Sequence, residues 1–320
     1  MPNVITHGLM AQDVVGVLDE SRVADAIQTY PQLFLLGSNG PDYLFYYRFL
    51  SSDQDATHIR NIGSFFHSSH VNDFYRAGYD YLISLENDRE YDMFLSYLSG
   101  HLCHWALDTL GHPYIFHKTG LLQGKTRYDH YRFESMIDTL MVTQIKKDSL
   151  KNYPTYKFAD LNTKERLIIA KGYQFITKTV LNERVALSKF NQALKEMYYY
   201  TRLLYDPNGF RIKLVQLIEK NILKDLWFIS SHIVSKKLDT QRDILNLSHS
   251  VWNHPSDDTM IFTDSFVDLY NQSIQRGKIV LELLDDKNID GLLSYIDNRN
   301  YETGLNTKRE MKYFNLVYQS

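Results

Sequence analysis

The sequence predicts an all-α protein, a bundle of many helices. Its long segments carry apolar residues at three- and four-residue spacing, the pattern of helices that bury one face. Only seven prolines occur in 320 residues, and the alternation of apolar and polar residues that indicates strands is rare. With 44% hydrophobic and 23% charged residues, the chain has the composition of an ordinary globular protein.

The first half of the chain predicts short helices followed by longer ones. A stretch with two glycines and Pro41, over residues 37–42, predicts a loop. The helix that starts near residue 91 is expected to end at Gly111 and Pro113, because proline lacks the backbone N–H that continues a helix. The predicted elements are one or two helices over 14–18 and 23–27, a turn at 31–34, and helices over 62–85, 91–110 and 128–147.

The second half is predicted to be a helical C-terminal extension. The stretch 152–162, which contains Tyr153-Pro154, is the best candidate for a boundary. We therefore expect a metal-binding catalytic region over residues 1–150 and a helical region over 151–320, packed together as one unit. The predicted helices of this half lie over 164–180, 184–204, 209–236, 264–284 and 289–295.

Charge and cysteine content exclude several classes of function. The net charge of −3 is too small an excess, and of the wrong sign, to bind a long nucleic acid. Cys103 is the only cysteine, so a metal site must use imidazole and carboxylate ligands. The first residues show no basic, apolar signal segment and no stretch is apolar enough to span a membrane, which makes a cytoplasmic location the expectation.

Histidines cluster towards the start of the chain. Nine of the twelve precede residue 131, and the sharpest pattern is His104, Asp108 and His112. Residues four apart project from the same face of a helix, so this row can bind one metal ion or bridge two. A single buried histidine is more often a hydrogen-bonded core residue, but a row of three favours a metal site.

His130 and Glu134 repeat the same spacing on the next predicted helix. Alone, such a pair is more often part of a solvated face, but after the first row it supplies ligands for a second metal ion. Either His112 or His117 could complete that second site.

Three upstream residues are further candidates. Asp42 follows Gly40-Pro41 on a stiff loop and could equally be a helix cap. His67 and His70 are three residues apart and could face one cavity, and His7 would reach it from the N-terminal segment.

The order of these groups has a counterpart in a known family. The matching residues are Thr6-His7-Gly8, Gly40-Pro41-Asp42 with Phe45-Tyr46-Tyr47 behind it, His67, His104 to Asp108, His112-Pro113-Tyr114, and His130 to Glu134. In this order the chain resembles the zinc-dependent phospholipase C family, most closely its leaderless Firmicutes-type branch. The resemblance implies the all-helical fold that this family shares with P1 nuclease, and a hydrolase that cleaves phosphodiesters with metal-activated water.

The resemblance also implies two or three zinc ions and their ligands. One zinc would be held by His67, His104 and Asp108, with Asp42 as a further ligand or as the general base. A second would be held by His112, His130 and Glu134, and a third by His7 together with a bridging Asp108. The family's secreted members use an N-terminal Trp as a ligand, and this chain has none near its start, so the third site is the weakest expectation.

The expected substrate is a phospholipid or another small phosphodiester, with transient contact to a membrane surface. Aromatic residues such as Phe45 and Phe65 could line an acyl-chain pocket or belong to the core. Two alternatives remain from other classes of function: a nuclease of the S1/P1 kind, and a metal-binding scaffold protein without catalysis.

Overall fold

A computed structural model describes residues 4–236 and 242–318. The predicted regions 1–150 and 151–320 also include residues 1–3, 237–241 and 319–320, which lie outside the described residues. The all-α prediction is confirmed, since helices make up most of the described chain. The α-helices are α1 (Val4–Val15), α2 (Arg22–Thr29), α3 (Pro31–Gly37), α4 (Gln54–Ser68), α5 (Val71–Ile83), α6 (Asp88–Thr119), α7 (Thr126–Leu140), α8 (Thr163–Leu181), α9 (Leu187–Leu204), α10 (Arg211–Ile218), α11 (Phe266–Asp285) and α12 (Ile289–Ile296).

Shorter elements connect these helices. Single π-helical turns extend α7 over Met141–Ile145 and α10 over Glu219–Leu223. An antiparallel hairpin of β1 (Trp252–His254) and β2 (Asp257–Phe262) precedes α11 and was not predicted. The 3₁₀-helices lie over Gly40–Tyr46, Leu150–Asn152, Thr155–Ala159 and Ser230–His232.

The 32-residue α6 is the central element of the fold. It is buried along most of its length, with α3 and α11 packed against it and α1, α2 and α7 also in contact. Its neighbours cover it on all sides, which explains why it lacks the polar face of a surface helix. Polar side chains on the buried part of α6 are therefore enclosed by the core.

The predicted end of this helix at Gly111 and Pro113 is wrong, because α6 continues to Thr119. Pro113 removes the N–H that would bond to the carbonyl of Thr109. That carbonyl instead faces Gly304, where any Cβ atom would overlap it. Tertiary packing thus holds the helix together past its proline, and His112 stays in line with Asp108.

The predicted helix over 62–85 is two helices. α4 ends at Ser68, and His70 has a left-handed backbone (φ 55°) before α5 begins at Val71. The hydroxyls of Ser68 and Ser69 donate to the carbonyl of Phe65, which competes with the helical ladder. The side chains of His67 and His70 are therefore not on one helical face.

Two further predicted boundaries are wrong. The loop over 37–42 is only a turn at Ser38 and Asn39, because a 3₁₀-helix begins at Gly40 and accepts Pro41 in its first turn, where no N–H is needed. The helix over 209–236 ends at the π-helical turn, where the Glu219 carboxylate accepts hydrogen bonds from the backbone of Trp227, Ile229 and Ser230.

Candidate metal centre

Asp108 lies at the centre of a cluster of buried histidines. On α6, His104 precedes it and His112 follows it by one turn each. Its Oδ2 atom lies 3.0 Å from His104 Nε2. Its Oδ1 atom lies 3.0 Å from Nε2 of His7 on α1 and 3.4 Å from Nε2 of His112. One carboxylate thus faces three imidazoles from two helices.

A second group joins α6 to α7. Glu134 Oε1 lies 3.1 Å from His130 Nε2 and 3.4 Å from His112 Nε2. All three side chains are buried, and their ligand atoms lie within 4.8 Å of one another. The structure therefore brings together the three residues predicted for one site. His117 lies apart from them, with its Nδ1 atom 3.1 Å from the carbonyl of Tyr313.

A third group joins the 3₁₀-helix to α4. Asp42 Oδ1 lies 2.9 Å from His67 Nε2, and His104 completes the group. Gly40, with φ +52°, allows this turn to approach because a Cβ atom there would overlap the His104 ring. The family resemblance implies both pairings, Asp42 with His67 and Asp108 with His7. Asp108, which it also assigns to the site of His67, lies in the group of His7 and His104.

All eight predicted ligands are thus buried and fall into three groups, two of which share His104. The predicted partner His70 is elsewhere: it is exposed and lies 2.6 Å from Asp73. The groups are His7, His104 and Asp108; Asp42, His67 and His104; and His112, His130 and Glu134.

In four of these histidines Nδ1, the ring nitrogen that does not face the carboxylates, lies within hydrogen-bonding distance of an oxygen. The Nδ1 atoms lie 2.8 Å from the Gly63 carbonyl for His67 and 3.2 Å from the Ser38 carbonyl for His104. They lie 2.9 Å from the Tyr301 carbonyl for His112 and 3.1 Å from the Thr119 hydroxyl for His130. A carbonyl accepts only from a protonated nitrogen, and the Thr119 hydroxyl, which donates to the Ile115 carbonyl, is left to accept from His130. In the neutral ring Nε2 then keeps its lone pair for a metal ion, as in metal-binding histidines generally.

Burial and charge oppose each other in this cluster. Burial favours a higher pKa for Asp108 and Glu134, but the surrounding histidines outweigh it and hold both pKa values below the usual range. Burial favours a lower pKa for His112, but Asp108 and Glu134 outweigh it and raise that pKa to about 9. Burial lowers the pKa of His104 and of His130. Negative charge is thus buried here with too few cationic side chains to balance it.

The donor set fits zinc. Buried atoms of Asp42, His104, Asp108 and Glu134 have no hydrogen-bond partner, although buried polar atoms are normally paired. Two ligand atoms of one tetrahedral zinc lie about 3.3 Å apart. The nitrogen–oxygen distances of 2.9 to 3.4 Å given above match that spacing.

A solvent-accessible cavity of about 570 Å³ opens onto the ligands. Asp42, His67, His112, His130 and Glu134 lie in its wall. Much of the remaining wall is aromatic, and it includes Phe45, Phe49, Phe116, Tyr131 and Phe228. Such a cavity combines metal ligands with apolar surface, as small-molecule sites commonly do.

The family comparison agrees with this site. Residues 6–185 match the family model described as zinc dependent phospholipase C. The chain belongs to the zinc-dependent phospholipase C family. All eight predicted ligands lie within the matched part. No curated protein and no solved structure matches the chain.

Beyond the part that matches the zinc-dependent phospholipase C family, two residues contribute to the site that sequence reasoning missed. The carbonyl of Tyr301 accepts from His112, and its ring lies 5.0 Å from that of His67 and 5.6 Å from that of His104. His232 lines the cavity, and burial lowers its pKa to about 3. Neither has a local sequence signal, because both are brought to the site by long-range packing.

Asp138 is a third missed residue. It accepts hydrogen bonds from the backbone N–H groups of Ile5 and Thr6 and from the Thr6 hydroxyl. It lies one turn beyond Glu134 on α7, so it ties the start of α1 to the helix that carries the second group. Burial raises the pKa of Asp138 to about 7. This tether fixes the position of His7.

Proposed function

We propose that this protein is a zinc-dependent phosphodiesterase that hydrolyses phospholipids in the manner of a phospholipase C. The observation that carries the proposal is the convergence of three buried ligand groups on one aromatic-walled cavity. A metal-binding scaffold would not need its ligands to face an open cavity. The absence of a basic excess argues against long nucleic acids as substrates.

The proposed ligands follow the three groups. His112, His130 and Glu134 would hold one zinc ion, and Asp42, His67 and His104 a second. His7 would hold a third, with Asp108 bridging the ions. In four of the five histidines Nδ1 lies against a fixed oxygen, which leaves Nε2 to face the metal ion.

Bound zinc lowers the pKa of water and neutralises charge on the phosphoryl oxygens. Asp42 is placed to take the proton of the attacking water, since it lies in the cavity wall. Burial favours a higher pKa for Asp42, but its contact with His67 outweighs this and lowers the pKa, so it is ionised at neutral pH. We propose Asp42 as general base as well as ligand. The aromatic walls exclude bulk water and accept the glycerol and first acyl carbons.

Three finer predictions accompany this proposal. We propose that the chain belongs to the leaderless branch, that it acts in the cytoplasm, and that residues 1–150 and 151–320 form one unit. Among the described residues, no helix is long and apolar enough to cross a bilayer. The contact with lipid that the proposal needs would then be made at the membrane surface.

The test is a substrate panel assayed with the zinc-loaded protein. Phospholipids with different head groups, nucleotides and short oligonucleotides are compared, and bound zinc is measured by elemental analysis. We expect phospholipids to be cleaved fastest, with two to three zinc ions bound, as the three ligand groups imply. Faster cleavage of oligonucleotides would favour the nuclease, and less than about one zinc ion per chain would favour the scaffold.

A further inference from the structure

The solvent side of α10 and its π-helical extension is unusually apolar. Phe210, Leu214, Leu217 and Ile222 have 74%, 60%, 60% and 72% of their surfaces exposed. The first three follow i, i+4, i+7 spacing, so they form one stripe along the helix. Isolated exposed apolar residues are normal, but a continuous stripe indicates an interaction site. We call residues 210–226 the apolar ridge.

The apolar ridge is held in place by its opposite side. Ile212 is buried, and seven residues later Glu219 is buried on the same side of the helix. Glu219 accepts hydrogen bonds from Trp227, Ile229 and Ser230, while Asp206 accepts from the backbone N–H groups of Phe210 and Ile212. The fold thus anchors the buried side of the helix and directs the apolar stripe outward.

Basic residues accompany the stripe. Arg211, Lys213, Lys220 and Lys224 are exposed, and within residues 4–236 and 242–318 none of them lies in an ion pair with an acidic side chain. The only exposed or half-buried acid of the ridge is Asp225, since Glu219 is buried. The ridge is therefore cationic in a chain whose net charge is −3. This combination matches helices that lie in the surface of an anionic membrane.

The apolar ridge adjoins the mouth of the metal cavity. Phe228, two residues beyond it, lies in the cavity wall, and so does Tyr128. The Tyr128 hydroxyl donates to Asp225 at 2.8 Å, which joins the wall to the end of the ridge. A surface bound to the ridge would therefore lie beside the opening.

We propose that the apolar ridge docks the protein on an anionic phospholipid surface, beside which the cavity opens. The proposal rests on the proposed function in that this surface would hold the substrate. A second copy of the chain is the other occupant that such a stripe could take. A symmetric pairing would bring the four cations of each ridge together, which like-charge repulsion disfavours.

The test measures binding to vesicles separately from turnover. Sedimentation of the protein with phosphatidylcholine vesicles is compared with vesicles that also contain phosphatidylglycerol. Leu214→Glu with Leu217→Glu should reduce binding to the anionic vesicles by about tenfold or more. Lys213→Gln with Lys220→Gln should reduce it by about fivefold for each lysine removed. Ile261→Glu, on the exposed side of β2, is the matched control and should leave binding unchanged.

Turnover distinguishes this proposal from the proposed function. With the water-soluble substrate p-nitrophenyl phosphorylcholine, the ridge variants should retain wild-type activity, whereas with anionic vesicles they should lose it in proportion to binding. Equal vesicle binding by the wild type and the leucine variant would overturn the docking proposal. A dimer in sedimentation velocity that the leucine variant dissociates would also overturn it. Vesicle binding without hydrolysis of any phosphodiester would support docking and overturn the proposed function instead.

Discussion

The metal centre and the apolar ridge reverse the usual distribution of residues in opposite ways. The centre buries three carboxylates and five histidines inside the bundle. The ridge exposes large apolar side chains, with Phe210 at 74%, while one of its two acids, Glu219, is buried. Charged groups are rarely buried without partners, and extended apolar stripes are rarely exposed. Each region therefore carries a cost that the folded chain alone does not offset.

The difference between them shows what each region needs from outside. Buried carboxylates whose oxygens lack hydrogen-bond donors are stabilised by cations, because only a charge of opposite sign replaces their lost hydration. Exposed apolar residues flanked by lysines are stabilised by an apolar surface with anionic edges. The metal centre therefore suits small, enclosed cations, and the apolar ridge suits an extended surface.

The largest effect should come from the shared carboxylate of the metal centre. Asp108→Asn should lower phosphodiesterase activity by about 1000-fold or more, because Asp108 faces three histidines and its loss disrupts the proposed ion cluster. Activity and zinc content are measured together, with the helical circular dichroism signal as a check on folding. Asp92→Asn, on the exposed end of α6, is the control. Full activity in Asp108→Asn would contradict the ligand assignment.

A smaller effect should come from a residue that hydrogen-bonds to a proposed metal ligand. Thr119→Val removes the oxygen next to His130 Nδ1, so we expect zinc affinity to fall by about 10- to 100-fold. Competition with a fluorescent zinc chelator measures this change. Thr177→Val is the control, because that buried hydroxyl bonds only to backbone carbonyls. Equal zinc affinity in both variants would mean that Thr119 does not orient the histidine.

The protonation of His112 gives a pH-dependent prediction for the metal-free protein. Its pKa is raised from 6.5 to about 9 in the folded state, so the stability it contributes is complete below pH 6.5 and is lost as the pH rises through about 9. Urea unfolding of chelator-treated protein should therefore show a difference in the free energy of unfolding between wild type and His112→Gln. This difference should narrow as the pH rises from 6.5 to about 9.

His117→Gln is the matched control for that measurement. Burial lowers the pKa of His117 from 6.5 to about 4, so its contribution is complete above pH 6.5 and is lost as the pH falls from 6.5 through about 4. The gap between wild type and His117→Gln should stay constant from pH 6.5 to pH 9. A constant gap for His112→Gln as well would show that His112 is neutral without metal.

The smallest effect should come from the apolar ridge itself. Leu214→Ala should change the free energy of unfolding by less than about 0.5 kcal/mol, because its side chain is 60% exposed. Ile212→Ala, two residues away but buried, should cost about 2–5 kcal/mol. Urea denaturation of both variants measures the contrast. A large loss at Leu214 would mean that the stripe stabilises the fold and is not reserved for a partner.

The sequence by itself determined the features that depend on local spacing. The pairs His104–Asp108 and His130–Glu134 share a face because each lies within one continuous helix, where position follows from the 3.6-residue repeat. The single cysteine determined the donor chemistry. Apolar periodicity determined the all-α class and most helices of the second half, such as α8 and α11, to within a few residues.

Only the tertiary structure decided how the local pieces meet. It brought His7, Asp42 and His67 from separate segments to the row on α6, carried α6 through Pro113, and brought the Tyr301 carbonyl to His112 from 189 residues away. It also decided that Leu214 faces solvent while Ile212 faces the core. These outcomes depend on contacts between distant segments. Helical periodicity says which residues share a face, but not what that face will touch.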